Sequence, residues 1–309
     1  MPVKRHPTGE FALSLPASSA NLGPAFDTAA IAWSRTLDVY AQPAAEFQVT
    51  AEGRDSARCA AMPNHLILDT YRELLRRNGT PMRPLALHLW NEIPVGKGCG
   101  SSAAARLAGA ALASHFGQLH WPAQQVFEVA AGLEGHADNA AACWWGGLVA
   151  VRANQRESIA WTQLPCARSW PLLLVVPAEA LATEASRRVL PDVYPRKDAI
   201  ANLQNVALLL AAWQQGREDL ITEAMMDHLH QPYRAELCPL LPALQPLAGQ
   251  SGILGCALSG AGPSVLLVVR ETQIAANAVR AVLAERSLTA EILEVQVAAQ
   301  APGQTWGAE

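Results

Sequence analysis

Ile93-Pro94-Val95-Gly96-Lys97-Gly98-Cys99-Gly100-Ser101-Ser102-Ala103-Ala104 is the stretch on which the reading of this chain turns. Three glycines alternate with other residues, and two serines open a run of small helix formers, Ala103 to His115. A Gly-rich turn feeding a helix leaves backbone N–H groups unpaired at the helix start and points its positive end outward, which suits phosphate above other anions. Without a Cβ, glycine lets the backbone approach phosphate oxygens closely. Either serine hydroxyl also reaches a Mg2+ carried by those phosphates. No lysine directly precedes the serines, so this is not the P-loop of nucleoside triphosphatases, and glycines at Gly96, Gly98 and Gly100 do not fit the dinucleotide fingerprint. A flexible loop ahead of an Ala-rich helix would look the same. The rest of the chain decides.

Two further segments accompany the loop: Pro16-Ala17-Ser18-Ser19-Ala20-Asn21-Leu22-Gly23-Pro24-Ala25-Phe26-Asp27 near the N-terminus, and Gly255-Cys256-Ala257-Leu258-Ser259-Gly260-Ala261-Gly262-Pro263-Ser264 near the C-terminus. In order and placement the three resemble the signature motifs of the GHMP kinases, which phosphorylate small alcohols. The central one matches Pro-x-x-x-Gly-Leu-Gly-Ser-Ser-Ala-Ala except at Cys99, where a small apolar residue replaces leucine. Glu134-Gly135-His136-Ala137-Asp138-Asn139, Arg187-Arg188-Val189-Leu190-Pro191 and Asp227-His228-Leu229-His230-Gln231-Pro232-Tyr233-Arg234 are similar to segments of the homoserine kinase branch. The similarity runs from Phe11 to Val269.

The resemblance implies an α/β (α+β) chain of two domains, 1–160 binding nucleotide and 161–309 completing an interdomain cleft. It implies ATP as co-substrate with Mg2+, a small hydroxy amino acid as acceptor, a cytoplasmic enzyme and a homodimer. Pro94, Gly96, Lys97, Gly98, Gly100, Ser101 and Ser102 would wrap the nucleotide. The metal would take Ser102 and a glutamate of the following helix, Glu128, with Glu134 as the competing carboxylate. Arg187 and Arg234 would clamp the α-carboxylate, since guanidinium offers paired donors in fixed geometry. Asn21 and Asp27 would take the ammonium, His136, Asn139 and Gly260 the rest of the acceptor. Asn139, Thr183 and Arg187 would align the reacting hydroxyl without a dedicated base, and Asp138 would orient its loop. Ala25, Ala29, Ala30, Asn205, Trp144 and Trp145 depart from the family pattern on what is expected to be the acceptor side, which leaves threonine, another alcohol, or a nucleotide-binding sensor open as alternatives.

Bulk properties agree with a globular enzyme. Half of the 309 residues are hydrophobic and 16% are charged, which excludes a disordered chain. A net charge of −4 gives no electrostatic case for nucleic acid or an anionic membrane. Met1 to Glu10 carries no apolar core of a signal peptide, and the apolar runs are too short to span a bilayer. The six cysteines form no Cys-x-x-Cys pair, so they read as reduced thiols.

Patterning predicts strands at 11–15, 37–42, 47–52, 85–90, 148–152, 172–177, 254–258, 265–269 and 291–297, and a turn-rich segment at 18–26. Helices are expected at 65–78, 103–115, 122–132, 183–189, 198–215, 218–229, 239–247 and 272–286. Asn154 to Ser169 reads as the boundary, and the tail after Gln300 as frayed.

Overall fold

The computed structural model describes residues 10–153 and 158–307. Strand β1 (Phe11–Asn21) turns at Leu22-Gly23-Pro24 into β2 (Ala25–Pro43). There follow β3 (Gln48–Gly53), α1 (Ser56–Cys59), α2 (Leu66–Arg77), β4 (Leu85–Asn91), α3 (Ser101–Phe116), α4 (Ala123–Glu134), α5 (Asp138–Trp145), β5 (Leu148–Arg152) and β6 (Ala160–Leu164). Their six strands form one sheet, ordered β3-β4-β2-β5-β6 with β1 paired to β2. β4 shows the alternation of a half-buried strand, sending Leu85, Leu87 and Leu89 into the core. α3 is buried on nearly every side, and its alanines let α2 pack close against it.

The second half holds β7 (Leu172–Pro177), α6 (Thr183–Arg188), α7 (Arg196–Gln215), α8 (Glu218–Ala224), α9 (Gln231–Arg234), α10 (Leu240–Leu244), β8 (Ile253–Leu258), β9 (Val265–Val269), α11 (Thr272–Glu285) and β10 (Ala290–Val295). Its sheet is antiparallel, ordered β10-β7-β9-β8. β7, β8 and β9 are buried almost end to end, as their unbroken apolar runs require.

Three expectations need correction. Residues 18–26 are strand for most of their length, because their small polar side chains find buried partners: Ser19 Oγ lies 2.6 Å from Ser259 Oγ and accepts from Trp33 Nε1 at 3.0 Å. The helix expected to reach Leu229 ends at Ala224, and the Asp227 carboxylate then accepts from the amides of Leu229, His230 and Gln231 to start α9. Residues 301–306 of the tail are docked, not frayed. Val297 bridges to Trp33, Gln304 Nε2 donates to the Trp145 carbonyl at 2.6 Å, and Trp306 lies 5.4 Å from the Trp144 ring.

The expected division at 160/161 falls at the start of β6. β6 belongs to the first sheet, and residues 296–306 cross back onto it. Of the expected boundary segment, residues 154–157 lie outside the described residues.

Gly109 tests the α2–α3 contact. Glycine to alanine inside a helix ordinarily stabilises it. Here an added Cβ would lie 2.6 Å from both the Ile67 carbonyl oxygen and Thr70 Cβ. Gly109→Ala is therefore expected to destabilise the protein by about 1–3 kcal/mol, read as a lower urea midpoint.

Candidate active site

The cleft opens where the Gly-rich loop, the β1–β2 hairpin, the α4–α5 junction, the start of α6 and the β8–β9 turn converge. Gly96, Gly98 and Gly100 all hold φ near +73°, a conformation other residues adopt only at a cost. No side chain caps the first turn of α3 and no acidic residue occupies it, so its leading N–H groups stay available to a ligand anion. Ser101 Oγ turns back to accept from the Gly96 amide at 3.3 Å. Cys99 is buried, and burial pushes its thiol up to about 12, so it is an inert filler in the leucine position.

The loop is fastened on three sides. The Ser18 amide donates to the Cys99 carbonyl, the Leu181 amide to the Gly96 carbonyl, and Ser259 Oγ to the Gly98 carbonyl at 2.6 Å. Lys97 Nζ donates to the carbonyls of Pro177 and Ala178 at 2.6 and 2.7 Å. It therefore ties the loop to the end of β7 and does not line the cleft. Pro94, buried, does not line it either.

Glu134 and Glu128 part company. Glu134, the last residue of α4, receives Ser102 Oγ at 2.8 Å and Arg106 Nε at 2.6 Å, both on Oε2. Glu128 stands six residues earlier, roughly 600° of helical rotation and so about 120° away around α4. It accepts from Gln124, which reaches toward β6, and it does not line the cleft. Glu134, not Glu128, is the carboxylate beside Ser102.

Beyond Gly135, His136 Nδ1 sits 3.3 Å from Asp138 Oδ1, and its Nε2 lies 4.0 Å from Glu134 Oε1. Burial alone would lower this imidazole's pKa. The hydrogen bond and charge of Asp138, backed by Glu134, outweigh it and set the pKa above the ordinary histidine value. Asp138 is itself buried and accepts from the Asn139 amide at 2.7 Å, which fits a carboxylate that orients its loop. Ser18 Oγ donates to Asn139 Oδ1 at 2.9 Å, leaving the Asn139 amide nitrogen for the cleft.

On the opposite wall stand two guanidiniums over one ring. Arg187 and Arg234 lie 5.5 and 5.1 Å from the centroid of Phe26. Arg187 makes a two-pronged pair with Asp27, at 2.7 and 3.0 Å. Arg234 is buried: its Nε donates to the Ser186 carbonyl and its Nη1 to His230 Nδ1, while Nη2 holds no hydrogen bond among the described residues. Burial, with the charge of Arg187, lowers its pKa to about 10, so it stays protonated at neutral pH. Asn21 accepts from the Asp27 amide and donates to the Gly260 carbonyl at 2.8 Å, so its amide fastens the hairpin to the β8–β9 turn. Thr183 opens α6 at the rim.

Phe26, Ser18 and Arg106 carry no role in the sequence reading. Phe26 and Ser18 fall inside the quoted N-terminal segment; nothing in the pattern marks Arg106. The six departures from the family pattern lie elsewhere. Ala25, Ala29, Ala30 and Trp144 are buried in the core, Trp145 stacks on Trp161, and Asn205 donates to the Met226 carbonyl. None lines the cleft.

The chain is similar to known proteins over most of its length. Residues 65–147 fit the model of the GHMP kinase N-terminal domain, and 206–287 that of the GHMP kinase C-terminal domain. A homoserine kinase of Solibacter usitatus is 43% identical, with 83% of this chain and 84% of that protein aligned. One from Thermus thermophilus is 39% identical, over 84% and 86%. The chain belongs to the GHMP kinase family. A crystal structure of homoserine kinase from Cytophaga hutchinsonii shares the GHMP fold, with a TM-score of 0.80 at 24% identity over 96% of this chain and 98% of that one. A putative homoserine kinase of Listeria monocytogenes superposes at 0.74 with 26% identity, over 94% and 97%. As a kinase of this family the enzyme uses ATP as co-substrate. No helix among the described residues is long and apolar enough to cross a membrane.

His230 supplies a pH test of the Arg234 wall. Arg234 donates to its Nδ1, and its Nε2–H donates to the Gly23 carbonyl at 2.7 Å, so the ring is neutral. Burial lowers its pKa to about 4. Between pH 6.5 and 4 the unfolded chain binds a proton that the native ring refuses. Stability should therefore fall as pH drops through that window, by up to about 1.4 kcal/mol per pH unit from this residue. Urea unfolding at pH 7, 6 and 5 should show that slope in the wild type and lose it in His230→Gln; equal slopes would show that the ring is not held neutral.

Proposed function

We propose that the enzyme transfers the γ-phosphoryl group of ATP to the side-chain hydroxyl of L-homoserine, giving O-phospho-L-homoserine and ADP. The observation that carries this reading is the pair Arg187 and Arg234 over Phe26, with Asp27 beside them, across the cleft from the Gly-rich loop. Two converging guanidiniums suit a carboxylate, and an adjacent carboxylate suits an ammonium. An α-amino acid supplies both. A mevalonate-like alcohol brings a carboxylate for Arg187 but no cation to replace it at Asp27, and a sugar brings neither charge. The acceptor-side departures from the family lie outside the cleft, which supports homoserine over another hydroxy amino acid.

Gly96, Gly98, Gly100, Ser101 and the start of α3 would wrap the triphosphate. The residues present fit Mg2+: Ser102 and Glu134 present hard oxygens 2.8 Å apart, close to the edge of about 3 Å between neighbouring ligands of an octahedral Mg2+. Phosphate oxygens and waters would complete the shell, and the ion, when bound, would neutralise charge on the transferring group. Asn139 and Thr183 would align the hydroxyl, with its proton passing to the phosphoryl oxygens. Asp138 is engaged by His136 and the Asn139 amide and would serve orientation.

Release of ADP with Mg·ATP and a panel of homoserine, threonine, serine, mevalonate and galactose tests the acceptor. Homoserine should be preferred, and 3-amino-1-propanol, which lacks the carboxylate, should fall about a thousandfold or more in kcat/KM. Faster turnover of mevalonate or galactose would overturn the reading. Arg187→Met should chiefly raise KM for the amino acid.

The two carboxylates of α4 should separate cleanly. Glu134→Gln is expected to lower kcat about a hundredfold or more, while Glu128→Gln stays within about twofold of wild type.

A further inference from the structure

Arg106 lies one helical turn beyond Ser102 on α3, so both side chains leave the helix on the same face. Both end on the same atom, Glu134 Oε2, at 2.6 Å for Arg106 Nε and 2.8 Å for Ser102 Oγ. The pair is largely shielded, with the side chains of Arg106 and Glu134 25% and 11% exposed. A cation thus occupies the carboxylate oxygen that the proposed metal position requires, beside the loop that receives the triphosphate.

We infer that Arg106 is a positioning residue that stands in for the metal charge at Glu134 and yields Oε2 to Mg2+ when the metal–nucleotide complex enters; this rests on the assignment of Ser102 and Glu134 as metal ligands. Without the guanidinium, Glu134 would meet an incoming triphosphate as an unpaired like charge. With it, Glu134 is neutralised and already turned toward Ser102. The cost falls on the metal, which must displace a hydrogen-bonded cation. Arg106 therefore weakens the coupling between metal and nucleotide: it eases binding of metal-free nucleotide and taxes binding of the metal. Substitution by an uncharged residue reverses both effects, and both raise the coupling.

The coupling is the ratio of dissociation constants for a nonhydrolysable ATP analogue, adenylyl imidodiphosphate, in EDTA and in saturating Mn2+, each measured by calorimetry. In Arg106→Leu that ratio should rise about fivefold or more over wild type. Arg106→Gln, which keeps the length of the stem, should raise it as well and carries the test if the leucine variant does not fold. Arg106→Lys should return the ratio toward wild type. A merely structural ion pair would lower the melting temperature and leave the ratio alone, so an unchanged or smaller ratio in the uncharged variants overturns the inference. Glu134→Gln separates the two levels. A ratio well below wild type in that variant upholds the metal assignment whatever Arg106 does; a wild-type ratio there removes Glu134 from the metal, and the inference with it.

Discussion

The contact on which the active cleft depends is the one between Gly98 and the β8–β9 turn. The Gly98 carbonyl accepts from Ser259 Oγ, and a Cβ on Gly98 would run into the Ser259 carbonyl and lie 2.7 Å from that of Gly262. Only a residue without a side chain brings the phosphate loop this close to the second sheet. Gly100 repeats the constraint against the first sheet, where a Cβ would strike Ser18 Oγ. The alternating glycines are thus doubly required. They allow the left-handed backbone of the loop, and they let strands from both sheets close on it. Lys97 adds a third fastening through the Pro177 and Ala178 carbonyls, just before the segment that leads to Thr183 and Arg187. The Gly-rich loop and α6 are held by one chain of contacts, which would limit the reorganisation left for groups reacting between them.

Much of this was legible in the sequence because the relevant signals are local. Gly, Ser and Pro at fixed offsets mark the loop, and most strands and helices begin and end within a few residues of where patterning puts them. The failures share a cause. Ser18 and Ser19 read as turn formers, yet their hydroxyls find partners far along the chain, at Asn139 and Ser259, so the strand continues through them. The tail reads as loose because its hold on Trp121, Trp144 and Trp145 is made across the fold. Glu128 and Glu134 share a helix, and only the rotation between them decides which carboxylate meets Ser102. Arg106 was invisible for a simpler reason: an arginine on a helix face has no pattern until its partner is placed.

The cleft also holds its charges in a particular way. Asp27, Arg187 and Glu134, proposed to read substrate or metal, already have partners of opposite sign: Asp27 with Arg187, Glu134 with Arg106. The Arg106–Glu134 pair is largely shielded, and an unpaired charge there would be costly, whereas Asp27 and Arg187 are each 38% exposed and gain less from pairing. An amino acid zwitterion and a metal–triphosphate complex each bring both signs. Each would exchange with an existing pair without leaving a charge alone, whereas a neutral alcohol would have to break the Asp27–Arg187 pair and offer nothing in return. Selectivity on the acceptor side then follows from exchange as much as from fit. Arg234 differs from the others, having no carboxylate partner among the described residues and resting on a neutral His230, the Ser186 carbonyl and the face of Phe26. Its Nη2 holds no hydrogen bond among the described residues, and an incoming anion such as the proposed substrate's carboxylate would pair its charge.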